Sequence, residues 1–202
     1  MPQKIQLTPV QAIMKRALDV LLSIVFLVLT APLKLVLGVA TKASSQGPSI
    51  YKYRRLGPDG SEVYVYRFRT MRITDDRVIL RQTTKNDPRI TPVGRFMRRT
   101  ALDELPAFFN VLAGHMSIVG PRPKHQAEYE YYQTIRSVIV HAKPGITSAS
   151  RGYGYASAPG SIETIKLLHE QEVDYVQNWS LWLDLKIIAS TINRSLFSSN
   201  AY

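Results

Sequence analysis

The sequence predicts an α+β fold, mostly helical. It combines a kinked, re-entrant N-terminal membrane helix, a small β-hairpin, and interfacial amphipathic helices around a compact cytosolic domain. Three observations predict it. An uncharged apolar run, "VLLSIVFLVLTAPL" from Val20 to Leu33, lies near the N-terminus and contains a proline. The turn "GPDG" at 57–60 separates two runs rich in β-branched and aromatic residues. The last 40 or so residues read as an amphipathic helix or helix pair. The chain divides into a basic N-terminal segment with its membrane helix, residues 1–42, and a membrane-associated cytosolic domain, residues 43–202.

The apolar run is shorter than the roughly 20 residues a spanning helix needs. Extended to Ala40 it is long enough, but Pro32 and Lys34 then fall inside. Proline removes a backbone donor and clashes with the preceding turn, which predicts a break at Ala31 and Pro32. Thr30 is the nearest hydroxyl able to satisfy a freed carbonyl. Lys4, Lys15 and Arg16 precede the run and Lys34 and Lys42 follow it. Positive charge on both flanks favours a helix that enters, breaks and returns to the same face. A plain spanning helix and a buried core helix are the alternatives. A signal peptide would need a cleavage site after the run.

After the hairpin, Thr70 to Thr91 is polar and reads as loop. A basic helical stretch with Arg95, Arg98 and Arg99 follows, then the acidic pair Asp103 and Glu104 on a helix ending at Gly114. "VGPRP" at 119–123 must be extended or turned. A tyrosine-rich helix is predicted over about 124–140. A long glycine- and serine-rich loop follows over 143–161, and loops of this kind are often functional. The final helical segment, about 162–196, offers Tyr175, Trp179 and Trp182 as interfacial aromatics.

Composition narrows the function. The 202 residues are 45% hydrophobic, enough for a real core. The net charge of +11 and pI near 9.9 point to an anionic partner: nucleic acid, anionic lipid or a phosphorylated small molecule. The absence of cysteine excludes disulfides, Cys-ligated zinc and thiol catalysis. It fits a cytosol-facing site. His115, His125, His141 and His169 are scattered without i, i+4 ligand spacing and read as surface or packing residues.

The acidic pair admits two readings. Thr100-Ala-Leu-Asp103 matches a helix-capping pattern, and acids suit a first helical turn. Alternatively, Asp103 beside Arg98 and Arg99 stays ionised at neutral pH and can attack phosphorus. Repulsion between neighbouring carboxylates is relieved by a divalent cation, and magnesium prefers one or two carboxylates plus substrate phosphates. Arg122, fixed between two prolines, suits bidentate phosphate binding. A structural arginine bridging loops is the alternative.

The chain resembles the bacterial sugar transferase family, the monotopic phosphoglycosyl transferases, in its short form. The matching pieces are "KRALDV", "YRRLGPDG", "YRFRTM", "TKNDPRITPVGRFMRRTALDELPAFFNVLAGHMSIVGPRP", "KPGIT" and "DYVQNWSLWLDLKI", together covering Lys15 to about Ile192. The resemblance implies an enzyme of the inner membrane's cytoplasmic face in bacteria. It would transfer a sugar 1-phosphate from a UDP-sugar to undecaprenyl phosphate and release UMP. That reaction initiates exopolysaccharide, capsule, O-antigen or glycoconjugate assembly. It further implies Mg2+ as cofactor, Asp103 as nucleophile forming a covalent phosphosugar, and Glu104 as metal partner, with Asp103 sharing the metal. Arg98 and Arg122 match phosphate-binding arginines, and Arg55 and Arg89, in matching motifs, join them as candidates. Ala31 and Pro32 match the membrane break, where some members have Ser-Pro. "PGIT" is often followed by Gly-Trp-Ala-Gln in the family; here Ser148-Ala149-Ser150-Arg151 follows. An acidic position before "YV.N", often aspartate, is Glu172.

Anionic membrane lipids are expected partners and a second copy of the chain is a candidate; nucleic acid is not expected. The alternative is a non-catalytic basic protein binding membrane or nucleic acid, which gives the acid pair no role. A glycosyltransferase moving the sugar itself would call for an Asp-x-Asp triplet, which the sequence lacks. A family member acting only as an assembly factor is a further alternative.

Overall fold

The computed structural model describes residues 3–73, 87–135, 138–152 and 162–197. Most of the polar stretch after the hairpin (74–86) and the end of the glycine- and serine-rich stretch (153–161) lie outside them.

Helix α1 (Pro9–Leu29) starts at a capping box, with Thr8 and Gln11 each accepting from the other's backbone. Helix α2 (Ala31–Ser44) follows after one residue, bent by 64°. The break falls where the sequence predicts it. Pro32 lies in the first turn of α2, where its missing donor is not needed. Thr30 Oγ1 donates to Phe26 O at 2.5 Å and Lys34 Nζ to Leu27 O at 3.0 Å. The carbonyls of Phe26 and Leu27, in the last turn of α1, are thus satisfied within the chain. Among the described residues no single helix is long and apolar enough to cross a membrane; the bent pair together passes that test.

The helix α1 is amphipathic in an inverted sense. Lys15, Asp19 and Ser23, at i, i+4 and i+8, form a buried stripe. Ile13, Leu21, Val28 and Leu29 are exposed. Two of the three find partners, while Ser23 Oγ has no hydrogen-bond partner among the described residues. Lys15 Nζ donates to Asp184 Oδ2 at 2.7 Å, and Asp19 Oδ1 accepts from Ile118 N at 2.9 Å and Ser117 Oγ at 3.0 Å. Arg16 donates to Val111 O and Leu112 O, which end helix α4 (Ala107–Leu112).

The predicted hairpin is strands β2 (Ile50–Leu56) and β3 (Glu62–Phe68), antiparallel with Arg55 opposite Val63. Gly60, at φ 93°, supplies the left-handed residue of the turn. The basic stretch is α3 (Pro92–Arg99), N-capped by Thr91. Gly94 lets α3 meet the end of the hairpin, because a Cβ there would lie 2.0 Å from Thr70 O.

Two parallel strand pairs complete the sheets. Strand β4 (Ser117–Val119) pairs with β6 (Gly145–Thr147), bringing "VGPRP" against "KPGIT". A Cβ on Gly145 would sit 2.2 Å from Gly120 N, so the close approach requires glycine. Strand β1 (Gln3–Gln6) pairs with β5 (Val138–His141). This corrects the tyrosine-rich helix: α5 spans Gln126–Ile135, and the β-branched "VIVH" turns to strand. The predicted loop over 143–161 likewise contains β6 and a short helix α6 (Ala149–Gly152).

The C-terminal segment is a helix pair, α7 (Ile162–Gln177) and α8 (Leu181–Phe197). Of Tyr175, Trp179 and Trp182 only Trp182 is exposed, at 69%. Tyr175 and Trp179 are core residues, packed with Val111, Met116, Val119 and Ile187. Tyr175 is drawn inward because its hydroxyl donates to the buried Asp184 Oδ1 at 2.7 Å.

Candidate active site

The acidic pair lies on neither a capped helix start nor a regular α-helix. Ala101 takes a left-handed conformation, φ 55°, and ends α3 abruptly. The next residues, Leu102–Glu104, form one 3-10 turn before α4. Thr100 donates back to Phe96 O at 2.9 Å and Met97 O at 3.2 Å, closing α3. The capping reading of Thr100 and Asp103 is therefore overturned: Thr100 closes α3, and the turn that carries the acids begins at Ala101 with no side-chain cap. A left-handed alanine costs about 1–2 kcal/mol, which the surrounding packing must offset.

Strand β3 fixes the first partner of the pair. Val63, Val65 and Arg67 share one face of the strand, and both valines are buried. The same face carries the Arg67 guanidinium to the acids. Its Nη1 lies 3.4 Å from Asp103 Oδ2 and its Nη2 lies 2.9 Å from Glu104 Oε1. Asn110 of α4 locks this geometry by accepting from Tyr66 N at 2.9 Å and donating to Tyr64 O at 2.7 Å. Strand and dyad-bearing segment are thereby held in one register.

The second partner comes from the segment after β6. Arg151 Nη1 donates to Glu104 Oε2 at 2.6 Å, and Ser148 Oγ accepts from Arg151 N at 3.3 Å. Glu104 thus has an arginine on each oxygen. Neither Arg67 nor Arg151 is among the residues that spacing and charge pattern single out. The alternation Val63-x-Val65-x-Arg67 held the signal for the first, since it places a cation on a core face.

The two carboxyls differ in charge state. Burial pushes Asp103 up to about 6, against the pull of Arg67 and with a contribution from the neighbouring Glu104 charge. It is ionised at neutral pH, as the sequence predicts, though with a raised rather than an ordinary affinity for its proton. Burial also pushes Glu104 upward, but Arg67, Arg151 and Arg122 outweigh it and hold this carboxyl below its usual range.

Of the four phosphate-binding candidates, Arg98 and Arg122 lie close enough for their charge to act on the dyad. Arg98 Nε donates to Thr70 Oγ1 at 2.8 Å, which holds its side chain on the hairpin end. The Arg122 backbone N–H donates to Glu172 Oε1 at 3.2 Å. Glu172 also receives Lys124 Nζ at 2.9 and 3.0 Å, both partners being buried. The acidic position before "YV.N" thus anchors the Arg122 loop. Arg55 joins Arg67 and Arg122: burial, then the repulsion of these two, lowers its guanidinium to about 10, and its Nη1 is buried without a hydrogen-bond partner among the described residues. Such a donor is complementary to an anion. Arg89 is placed differently, with Nε and Nη2 forked onto Asp87 at 3.0 and 2.7 Å.

His125 lies beside the same arginines. Although the residue is exposed, desolvation of its ring and the repulsion of Arg55, Arg122 and Arg67 hold the imidazole down to about 4. His169 packs in the interior with its Nδ1 3.0 Å from the Tyr132 hydroxyl.

The arrangement suits a phosphate ester. Arginines gather around two acids, so an anion entering here is attracted toward a carboxylate, a group that can attack phosphorus when ionised. Asp103 and Glu104 offer adjacent hard oxygen donors, which fits magnesium when phosphates complete its shell. Both Glu104 oxygens hold arginines, so a cation bound there would compete with these ion pairs.

Comparison with known proteins gives a consistent result. The profile described as "Bacterial sugar transferase" matches residues 10–198. The chain is 40% identical over 199 residues to the UDP-glucose:undecaprenyl-phosphate glucose-1-phosphate transferase of Escherichia coli, covering 97% of this chain and 43% of that protein. It is 43% identical over 188 residues to the protein of the same name from Xanthomonas campestris, covering 91% and 39%. It is 35% identical over 214 residues to the exopolysaccharide production protein ExoY of Rhizobium meliloti, covering 96% and 90%. The chain thus spans less than half the length of the first two relatives and nearly all of the third.

Proposed function

Because the chain belongs to the bacterial sugar transferase family, we propose that it transfers a sugar 1-phosphate from a UDP-sugar to undecaprenyl phosphate at the cytoplasmic face of the inner membrane. The reading rests on the site, above all on one observation. Asp103 is a buried carboxylate with Arg67 on Oδ2 alone, beside a Glu104 saturated by Arg67 and Arg151. One acid is left to react and the other is held in place. The names of the relatives support UDP-glucose as the first donor to test.

In the proposed reaction an Asp103 oxygen attacks the sugar-bearing phosphorus of the donor. A bond forms from Asp103 to phosphorus, the bridging oxygen–phosphorus bond breaks, and UMP leaves with the electron pair. An oxygen of undecaprenyl phosphate then attacks the same phosphorus, displaces Asp103 and yields a polyprenyl diphosphate sugar. Arg98, Arg122 and Arg55 bind and orient the donor phosphates; Arg55 Nη1 gains the acceptor it lacks. Magnesium, held by Asp103 and Glu104, would neutralise charge on the phosphates. Covalent storage separates a water-soluble donor from a lipid acceptor in time, so the two need not bind together.

The bent helix pair serves as a re-entrant anchor in this reading. Its exposed face is apolar, with Leu29 and Leu35 both 72% exposed, and its buried stripe ties it to the catalytic domain. Surrounding lysines and arginines add attraction to anionic lipid, about 1 kcal/mol for each well-placed one. The test is the leaving group. Reconstituted protein with magnesium, UDP-glucose and undecaprenyl phosphate is expected to release UMP and form lipid-linked diphosphate sugar. Release of UDP would instead mean direct transfer of the sugar and would contradict the proposal.

A further inference from the structure

A groove of about 520 Å³, within the range of small-ligand sites, runs between α2, the hairpin and α4. Leu35 and Val39 of α2, Ile50 of β2 and Phe109 of α4 form apolar walls, all four exposed. Lys34 and Lys42 line it as well. The Lys34 ammonium sits 5.1 Å above the Phe109 ring. Pro106, two residues after Glu104 in the chain, lines it too, so its lining comes within two residues of the dyad in sequence.

The groove is held open by an absent side chain. Gly38 lies in it, and a Cβ there would meet only the Phe68 ring, at 3.9 Å. The fold has room for a larger residue, which would also favour the helix. Apolar walls, two cations and a lining that includes Pro106 beside the dyad segment together match a ligand with a hydrocarbon chain and an anionic head.

We propose that this groove binds the isoprenoid chain of the polyprenyl phosphate acceptor next to its phosphate, and so delivers that phosphate to the dyad. The proposal rests on the reading of the reaction given above. The remainder of the chain would lie in the bilayer alongside α2.

The test uses the full chain in vesicles of phosphatidylethanolamine and phosphatidylglycerol and a polyprenyl phosphate carrying a diazirine in its first isoprene units. Cross-linked peptides are mapped by mass spectrometry. Labelling is expected within 31–50 and 106–109, and excess undecaprenyl phosphate should compete it away. Gly38→Leu should reduce it about tenfold, the effect of excluding roughly two methylenes from an apolar site. Ala17→Leu, on the outer face of α1, should not. Labelling elsewhere, no effect of Gly38→Leu, or equal competition by added phosphatidylglycerol would overturn the proposal, the last by showing an ordinary lipid groove. Cross-linking requires no turnover. Groove labelling without UMP release would contradict the proposed reaction alone, and UMP release with labelling elsewhere would contradict the groove alone.

Discussion

Arg151 donates to Glu104 at 2.6 Å across 47 residues of sequence. The contact crosses from the segment after "KPGIT" to the turn that carries the dyad. It makes the glutamate a fixed neighbour of Asp103 rather than a second free carboxylate. Arg151→Ala leaves Oε2 of a nearly buried carboxylate unpaired. Stability should fall by about 1–2 kcal/mol, less than for a fully buried pair because Arg151 is partly exposed. Urea denaturation in detergent measures this. Arg151→Lys should recover only part of the loss, because an ammonium on a different stem does not reproduce the Nη1 contacts to both Glu104 Oε2 and Ile146 O.

Asp103 gives stability a distinctive dependence on pH. Its carboxyl is raised from 3.8 to about 6 in the folded chain. Between these values the folded state holds a proton that the unfolded state has released. The native state therefore loses stability as pH rises from about 4 to 6, and the whole cost is present at pH 7. Asp103→Asn removes that cost. The variant should be more stable than the parent at pH 7, on the order of 2–3 kcal/mol for a shift of this size, and no more stable near pH 4. Thermal melts at the two pH values check it. Attack by the carboxylate should correspondingly weaken below about pH 6.

Glu172 is expected to act through the Arg122 loop. Glu172→Gln leaves Lys124 buried without a counter-charge and should destabilise by up to about 3–5 kcal/mol. The double variant Glu172→Leu with Lys124→Met should recover much of this stability. It should still bind the UDP-sugar more weakly, since the Arg122 N–H has lost its anchor. Calorimetric titration with the donor separates the two effects.

The re-entrant topology places both ends of the bent pair on one side of the membrane. Gln6 and Gln46 flank the pair and are exposed, and the chain has no native cysteine. Gln6→Cys and Gln46→Cys should each react with an impermeant maleimide only from the cytoplasmic side. Labelling of the two from opposite sides would establish a spanning helix.

The sequence made local features legible. The proline break, the Thr30 hydroxyl, the Gly-Pro-Asp-Gly turn and the Gly114 helix end are each decided by a few neighbouring residues, and each stands in the structure where expected. Features that depend on distant partners were hidden. Strand β5 exists because it pairs with β1, more than 130 residues away. Tyr175 and Trp179 resemble interfacial aromatics in a helical pattern, but Asp184, Lys15 and the core draw them inward. Thr100 and Asp103 have capping spacing, and only the left-handed Ala101 between them shows that they serve different elements. The site divides in the same way. Asp103 and Glu104 stand out as an acid pair, whereas Arg67 and Arg151 become visible only when strand β3 and helix α6 converge on them.

The most direct test of the central claim is the intact mass of the detergent-solubilised protein after incubation with magnesium and UDP-glucose, or a panel of UDP-sugars, without acceptor. The account predicts a mass gain of one sugar phosphate with matching release of UMP, neither occurring in Asp103→Asn. Well-folded protein that gains no mass with any donor, yet transfers sugar phosphate once undecaprenyl phosphate is added, would contradict a covalent role for Asp103.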